Sequence, residues 1–262
     1  MASLTGKCAV VTGSTSGIGK AIATALAAEG ANIMLNGFGD AAEIEALRRS
    51  LARRHSAKIG YNGADMAKPA EIRGLIQAAE KELGAIDILV NNAGIQHVAS
   101  IVDFPEDRWD AIIAINLSAA FHATKAALPI MIRRKWGRII NIASLHGLVA
   151  SVQKAAYVAA KHGIVGLTKV TALEAANLGI TCNAICPGWV RTPLVEKQIV
   201  ARAKAEDKPV ETAAKELVGE KQEMLDFVTV EQLGALAVFL CSDGAATMTG
   251  TALPVDGGWS AR

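Results

Sequence analysis

The 262-residue chain is short of net charge: 27 Lys and Arg stand against 25 Asp and Glu, a formal +2 at pH 7. A balance so close to zero leaves no electrostatic footprint for nucleic acid or for an anionic membrane surface. The first residues, Met-Ala-Ser-Leu-Thr-Gly-Lys, carry no apolar signal core, and no apolar run in the sequence is of bilayer-spanning length. The expectation is a cytoplasmic protein with neither a nucleic-acid nor a membrane partner. Cysteine is also scarce. Cys8, Cys182, Cys186 and Cys241 all lie among apolar residues. Cys182 and Cys186, four apart on an expected strand, would stand roughly 13 Å apart, beyond disulfide reach. They also lack zinc-site spacing, so buried thiols are expected, with no disulfide and no metal. No repeat of solenoid period and no low-complexity segment interrupts the chain.

What the sequence does hold is apolar residues (51%) and 24 glycines, in a chain long enough for one large core. Short apolar runs alternate with helical patterns. Strands are expected near residues 7–12, 32–36, 58–62, 86–90, 138–143, 179–186 and 252–255. Helices are expected over 20–29, 41–54, 70–83, 154–177 and 229–240. That alternation predicts parallel βαβ units, hence an α/β, doubly wound (Rossmann) sheet in a three-layer α/β/α domain over 1–262. Residues 193–227 break the pattern with charged, alanine-rich helices (194–205 and 210–220), an insertion predicted to act as a mobile lid. The helix over 154–177 is apolar on nearly all its sides. One sheet covers only one side, so a subunit interface and a homo-oligomer are expected.

Two stretches carry the chemistry. After the first strand, Gly13-Ser-Thr15-Ser16-Gly17-Ile18-Gly19 leads into a helix. Glycines there let a pyrophosphate approach bare backbone at the positive helix end. Further on, Ser144 closes a strand, and Tyr157 and Lys161 are spaced to share a helix face. An ammonium held near a phenol favours the phenolate, lowering its pKa from about 10. Such a phenol can exchange a proton in a carbonyl/alcohol interconversion, with Ser144 holding the reacting oxygen.

Thr12-Gly13-(three residues)-Gly17-Ile18-Gly19, Asn91-Asn92-Ala93-Gly94, Asn116, Ser144, Tyr157-(three residues)-Lys161 and Pro187-Gly188 together resemble the short-chain dehydrogenase/reductase pattern, in order and over essentially the whole chain. The resemblance implies a seven-stranded parallel sheet and, commonly, a tetramer. It implies Tyr157 as general acid/base and Ser144 on the substrate oxygen. Lys161 would hold the nicotinamide ribose and depress the Tyr157 pKa, and Asn116 would kink its helix and hold a relay water. Cofactor contacts are then expected from Gly13, Thr15, Ser16, Gly17, Ile18, Gly19, Phe38, Asp65, Met66, Asn92, Ala93, Gly94, Tyr157, Lys161, Pro187, Gly188, Val190 and Thr192.

The second strand ends Asn36-Gly37-Phe38-Gly39, and Ser16 precedes Gly17. No Arg or Lys stands there to pair with a 2′-phosphate, so NAD is expected over NADP. The acid that usually clasps the NAD ribose is also missing, with Asn36 in its place. Phe38 could pack on adenine, and Asp65 could accept from its amino group. The arginines at 48, 49, 53 and 54 are expected on a solvated face.

Gln96, His146 and Lys154 are expected on the nicotinamide side, where an amide, an imidazole and an ammonium would suit a small carboxylate. The set resembles members of the family that act on short 3-hydroxy acids with NAD, in which the positions matching Gln96, His146, Lys154 and Gln198 bind the carboxylate. Trp189 and Trp259 would line or close the pocket. The alternatives are a family reductase for carrier-protein, sugar or polyol substrates, and a binding-only NAD sensor. The sensor would not need Asn116, Ser144, Tyr157 and Lys161 together. No role is expected for His55, His97, His122 or His162.

Overall fold

Seven parallel strands form one sheet in the computed structural model, which describes residues 3–261; Met1 and Ala2 of the opening stretch lie outside the described residues. The strands are β1 (Cys8–Val11), β2 (Asn32–Asn36), β3 (Ile59–Asn62), β4 (Ile88–Asn91), β5 (Gly137–Ile142), β6 (Ile180–Pro187) and β7 (Ala252–Val255), in spatial order 3-2-1-4-5-6-7. The order reverses between β1 and β4, which places a crevice at their carboxyl ends, where open sheets of this kind bind ligands.

Side chains alternate between the two faces with the strand period of two. Ala9, Val11, Ile33, Leu35, Ile88, Val90, Ile140 and Ile142 pack on one side; Val10, Met34, Leu89 and Ile139 pack on the other. The first face is covered by α1 (Gly17–Ala28), α2 (Ala41–His55) and α9 (Val230–Cys241). The second is covered by α3 (Pro69–Leu83), α5 (Ala119–Arg134) and α6 (Ala155–Ala175). Burial on both faces is why the strands read as continuous apolar runs. All four cysteines are free and buried, and burial pushes Cys182 and Cys241 up to about 12.

Several elements depart from the expected outline. Residues 106–134 form one continuous helix that the local pattern did not delimit: α4 (Glu106–Ile113), a π-helical turn (Ala114–Ser118) and α5. Its most apolar 18-residue stretch has a mean hydropathy of 1.4, enough by length and composition to cross a bilayer. Its apolarity has another use, because Ala119, Ala123, Ala127 and Met131 pack on the sheet. Helix α6 begins at Ala155, so Lys154 is its N-cap and not part of its face.

Between β6 and α9 the chain inserts α7 (Pro193–Ala205) and α8 (Val210–Gly219). These share a small core of Ile199, Ala203, Ala213 and Ala214. Arg191 ties both to the end of β6, with guanidinium nitrogens 2.8 Å from Glu196 and 2.7 Å from Glu211. Arg48 and Arg49, expected on a solvated face, keep side-chain exposures of 35% and 69% while pairing with Glu45 of the same helix at 2.7 and 2.6 Å.

Candidate active site

The carboxyl ends of β1, β2, β4, β5 and β6 open onto one cleft of about 400 Å³. At one end lies the glycine-rich turn. Gly13 and Gly17 have φ of +62° and +53°, which suit glycine. A Cβ on Gly17 would meet nothing closer than 3.7 Å, so bare backbone faces the cleft. The N-cap of α1, Ser16, makes no side-chain cap hydrogen bond, and the first turn holds no acid. The positive end of this helix is thus open to an anion, as a dinucleotide pyrophosphate requires. Gly19 differs from the expectation: it does not line the cleft. A Cβ there would lie 2.4 Å from both the Asn92 amide nitrogen and the Gly13 carbonyl, so it is a packing glycine that lets α1 sit close to the turn.

Phe38 (68% exposed), Asp65 and Met66 line the next part of the cleft. One Asp65 oxygen already accepts from Ala67 N–H at 2.9 Å. Asn36, where an acid is usual, also lines the cleft yet is fully buried. Its Oδ1 accepts from Gly13 N–H at 3.2 Å, and its Nδ2 donates to the carbonyls of Asn62 and Ala64, both at 3.0 Å. The side chain therefore staples the ends of β1, β2 and β3 and has no free group for a ribose. Deleting it leaves one buried and two half-buried partners without their bond, each costing of order 1 kcal/mol. Asn36→Ala should lower unfolding stability by about 2–4 kcal/mol, read by urea denaturation.

At the other end β5 delivers Ser144 and α6 delivers Tyr157 and Lys161. Lys161 is buried and donates to the Ile142 carbonyl at 2.7 Å, with its ammonium 5.5 Å from the Tyr157 ring centroid. Burial pushes Lys161 down to about 8. Tyr157 behaves oppositely to the expectation. Desolvation raises its pKa, and the opposing effect comes from a hydrogen bond with Ser144 rather than from Lys161. The same burial that weakens the phenol weakens the ammonium meant to acidify it. Asn116 lies just outside the cleft, in the π-helical turn, where its amide accepts from Ile95 N–H at 2.8 Å and donates to Ile95 O at 2.9 Å. These two bonds brace the strand-end loop that carries Gly94 and Gln96.

The expected substrate groups converge beside Tyr157. His146 Nε2 lies 2.9 Å from Ser151 Oγ, and its ring is edge-on to Tyr157 and to Trp259 at 6.0 and 5.4 Å. Trp189 and Trp259 stack at 6.3 Å. The Lys154 ammonium sits 5.2 Å from the Trp189 ring centroid, and no carboxylate among the described residues pairs with it. The Nε2 of Gln96 and the Nε1 of Trp189 are buried donors without a partner. Buried polar groups are ordinarily satisfied, so unused donors beside an unpaired ammonium mark a site for an acceptor. Gln198 of α7 lines the same pocket, as do Pro187, Gly188, Val190 and Thr192 at the end of β6. Local spacing offered no signal for Ile95, Ile115, Ile142 or Val195, which complete the walls.

Burial, and then the charges of Lys154, Lys221 and His162, push His146 down from 6.5 to about 4. Between those values the unfolded chain binds the extra proton, so stability should fall as pH drops from 6.5 to 4 and be unaffected by this group above that range. The loss is about 3 kcal/mol at about 1.4 kcal/mol per unit. His146→Gln should remove that part of the acid destabilisation, seen by comparing denaturation of both proteins across the window.

A family model described as short chain dehydrogenase matches residues 7–227. The chain belongs to the short-chain dehydrogenase family. This short-chain dehydrogenase is 62% identical over 260 residues to a protein named D-beta-hydroxybutyrate dehydrogenase from Cupriavidus necator, covering 99% of this chain and 100% of that one. It is 53% identical to a protein of the same name from Rhizobium meliloti, covering 98% and 99%. Among solved structures, an actinorhodin polyketide ketoreductase with NADPH superposes with a TM-score of 0.91 at 33% identity, over 98% of each chain. As in that family, the cofactor is a nicotinamide dinucleotide, and the open helix end and bare Gly17 backbone fit it.

Proposed function

We propose that this short-chain dehydrogenase interconverts (R)-3-hydroxybutyrate and acetoacetate with NAD. The observation that carries the reading is the half-buried Lys154 ammonium, unpaired among the described residues, beside His146 and the unsatisfied Gln96 amide, in the same cleft as Ser144 and Tyr157. A short carboxylate supplies the missing acceptor and leaves its C3 hydroxyl for Ser144 and Tyr157. The names of the two relatives favour the same acid.

The glycine-rich turn, Thr15, Ser16, Ile18, Phe38, Asp65, Met66, Asn92–Gly94, Lys161 and the 187–192 segment would hold the dinucleotide. Bound there, NAD supplies the hydride acceptor and a positive charge. Ser144 holds the substrate oxygen by hydrogen bonding. Tyr157 takes the hydroxyl proton in oxidation and returns it in reduction. Lys161 would keep positive charge beneath the phenol, and Asn116 would hold a relay water. Lys154, His146, Gln96 and Gln198 orient the carboxylate, with His146 neutral near pH 7 as donor or acceptor. The two tryptophans wall off water. Helices α7 and α8 would serve as the lid, closing over the acid and strengthening these contacts by excluding solvent. The choice of NAD is supported by the lining itself, in which Lys154 and Lys161 are the only Lys or Arg among the described residues.

A homotetramer belongs to this reading. On α6, Val170 and Leu173 are 52% and 82% exposed, and on α5 Phe121 is 45% exposed. Such an apolar face suits a second copy. Cytoplasmic residence is in keeping with four unpaired, buried thiols.

The test is nicotinamide reduction with (R)- and (S)-3-hydroxybutyrate, each against NAD and NADP. Turnover of the (R) acid with NAD alone is expected. Activity on neutral alcohols or sugars with silence on both acids would discard the carboxylate pocket and retain the family.

A further inference from the structure

Gln222 follows α8 in a stretch whose neighbours, Lys221 and Glu223 to Asp226, are exposed, yet it is itself only 1% exposed. Its side chain is engaged at both ends. Oε1 accepts from Trp189 N–H at 2.7 Å, while Nε2 donates to Asp226 O at 3.2 Å. The amide lies between two glycines from separate segments. A Cβ on Gly188 would come within 2.6 Å of Oε1, and one on Gly257 within 2.7 Å of Nε2. Backbone bonds reinforce the second junction, because Glu223 N–H and Met224 N–H donate to Gly257 O at 3.0 and 2.9 Å.

The two junctions are the segments that deliver the tryptophans. Trp189 comes from the loop after β6 and Trp259 from the C-terminal turn. Their stacking at 6.3 Å and 24° depends on holding these segments at one separation. Neither is covalently tied to the other, and aromatic stacking tolerates several offsets. Contacts downstream depend on the pair: Trp259 lies edge-on to His146 at 5.4 Å, and the Lys154 ammonium lies over Trp189.

We propose that Gln222 is a positioning residue that clasps the end of the 193–227 insertion to both tryptophan-bearing segments, thereby setting the width of the substrate pocket and the length of acid it admits. This rests on the carboxylate-pocket reading above. Gln222 touches neither the acid nor the dinucleotide in this arrangement; it acts through Trp189 and Gly257. Lys221, immediately before it, is thereby placed near enough to His146 and Lys154 to add to their shared positive surroundings.

Gln222→Met keeps the length of the side chain and removes the amide. The KM for (R)-3-hydroxybutyrate should rise at least about tenfold while that for NAD stays within about twofold, since only the wall of the acid pocket moves. The ratio of kcat/KM for (R)-3-hydroxypentanoate to that for the four-carbon acid should rise at least about threefold, as a loosened wall admits the extra methylene. The near-ultraviolet circular dichroism of the stacked tryptophans should shrink with the far-ultraviolet spectrum unchanged. A residue needed only for folding would lower the active fraction, changing kcat equally for both acids.

Should the methionine variant not fold, Gln222→Asn, one methylene too short to span both glycines, should show the same shifts in smaller measure. A folded variant with unchanged acid KM and unchanged chain-length ratio overturns the proposal, and so does failure of both variants to fold. Wild-type silence on both acids would remove the functional reading instead. The clasp is then judged by the tryptophan dichroism: its persistence in Gln222→Met overturns the proposal, and its loss supports it.

Discussion

Tyr157→Phe should lower turnover by about 10²–10⁴-fold, the range a positioned proton-transfer group contributes. The substitution removes one hydroxyl and leaves the ring that packs edge-on to His146 at 6.0 Å. Lys161 keeps its bond to Ile142 O, so the ribose end of the cleft is not disturbed. NAD affinity, read by fluorescence titration, should therefore stay within about twofold, and the thermal midpoint should barely move, because no cavity opens. The expected split, with chemistry lost and binding kept, separates Tyr157 from a residue that only shapes the cleft. A loss of less than tenfold would mean that another group, Ser144 or His146, carries the proton. Desolvation raises the phenol in the empty chain. The positive charge of bound NAD should accordingly move the midpoint of the pH–rate profile below the one burial alone would set, with the slope unchanged.

Lys154→Met should raise the KM for (R)-3-hydroxybutyrate by about 30-fold or more. Truncating one partner of a buried charged pair costs about 2–5 kcal/mol, and each 1.4 kcal/mol is about tenfold. The KM for NAD should change little, since Lys154 lines the pocket beyond Tyr157. Burial lowers the pKa of Lys154, and the charge of Lys221 lowers it further. An ammonium held there without a carboxylate costs stability in the free protein. The same variant should therefore hold or raise the melting temperature while it loses affinity for the acid. A fall in stability together with equal increases in both KM values would make Lys154 a structural residue.

The parts of this protein legible along the chain are those that depend on near neighbours. Short continuous apolar runs announced the strands, and glycines at 13, 17 and 19 announced a turn able to take a phosphate. Tyr157 and Lys161, four apart, meet on one helix because 3.6 residues make a turn. Tyr157, Lys161, Ser144, Gln96, His146, Lys154, Gln198 and the two tryptophans all line one cleft. What lay beyond such reasoning depends on partners far along the chain. Asn36 is a staple because residues 13, 62 and 64 surround it only once three strands align. Gly19 faces packing rather than cofactor because Asn92 closes over it.

Electrostatics was the least legible property. Spacing placed Lys161 near Tyr157, and charge alone would have acidified the phenol. Folding also removed both groups from water, and desolvation is the largest influence on each. The neutral state of His146 has the same origin. Residue order determined the sheet, the phosphate turn and the catalytic pair, since each is a matter of period and adjacency. The tertiary structure alone decided which polar groups are desolvated, which remain unpaired and so await a ligand, and which, like Gln222, hold distant segments together. Burial and partnership are set by whatever the rest of the chain brings alongside.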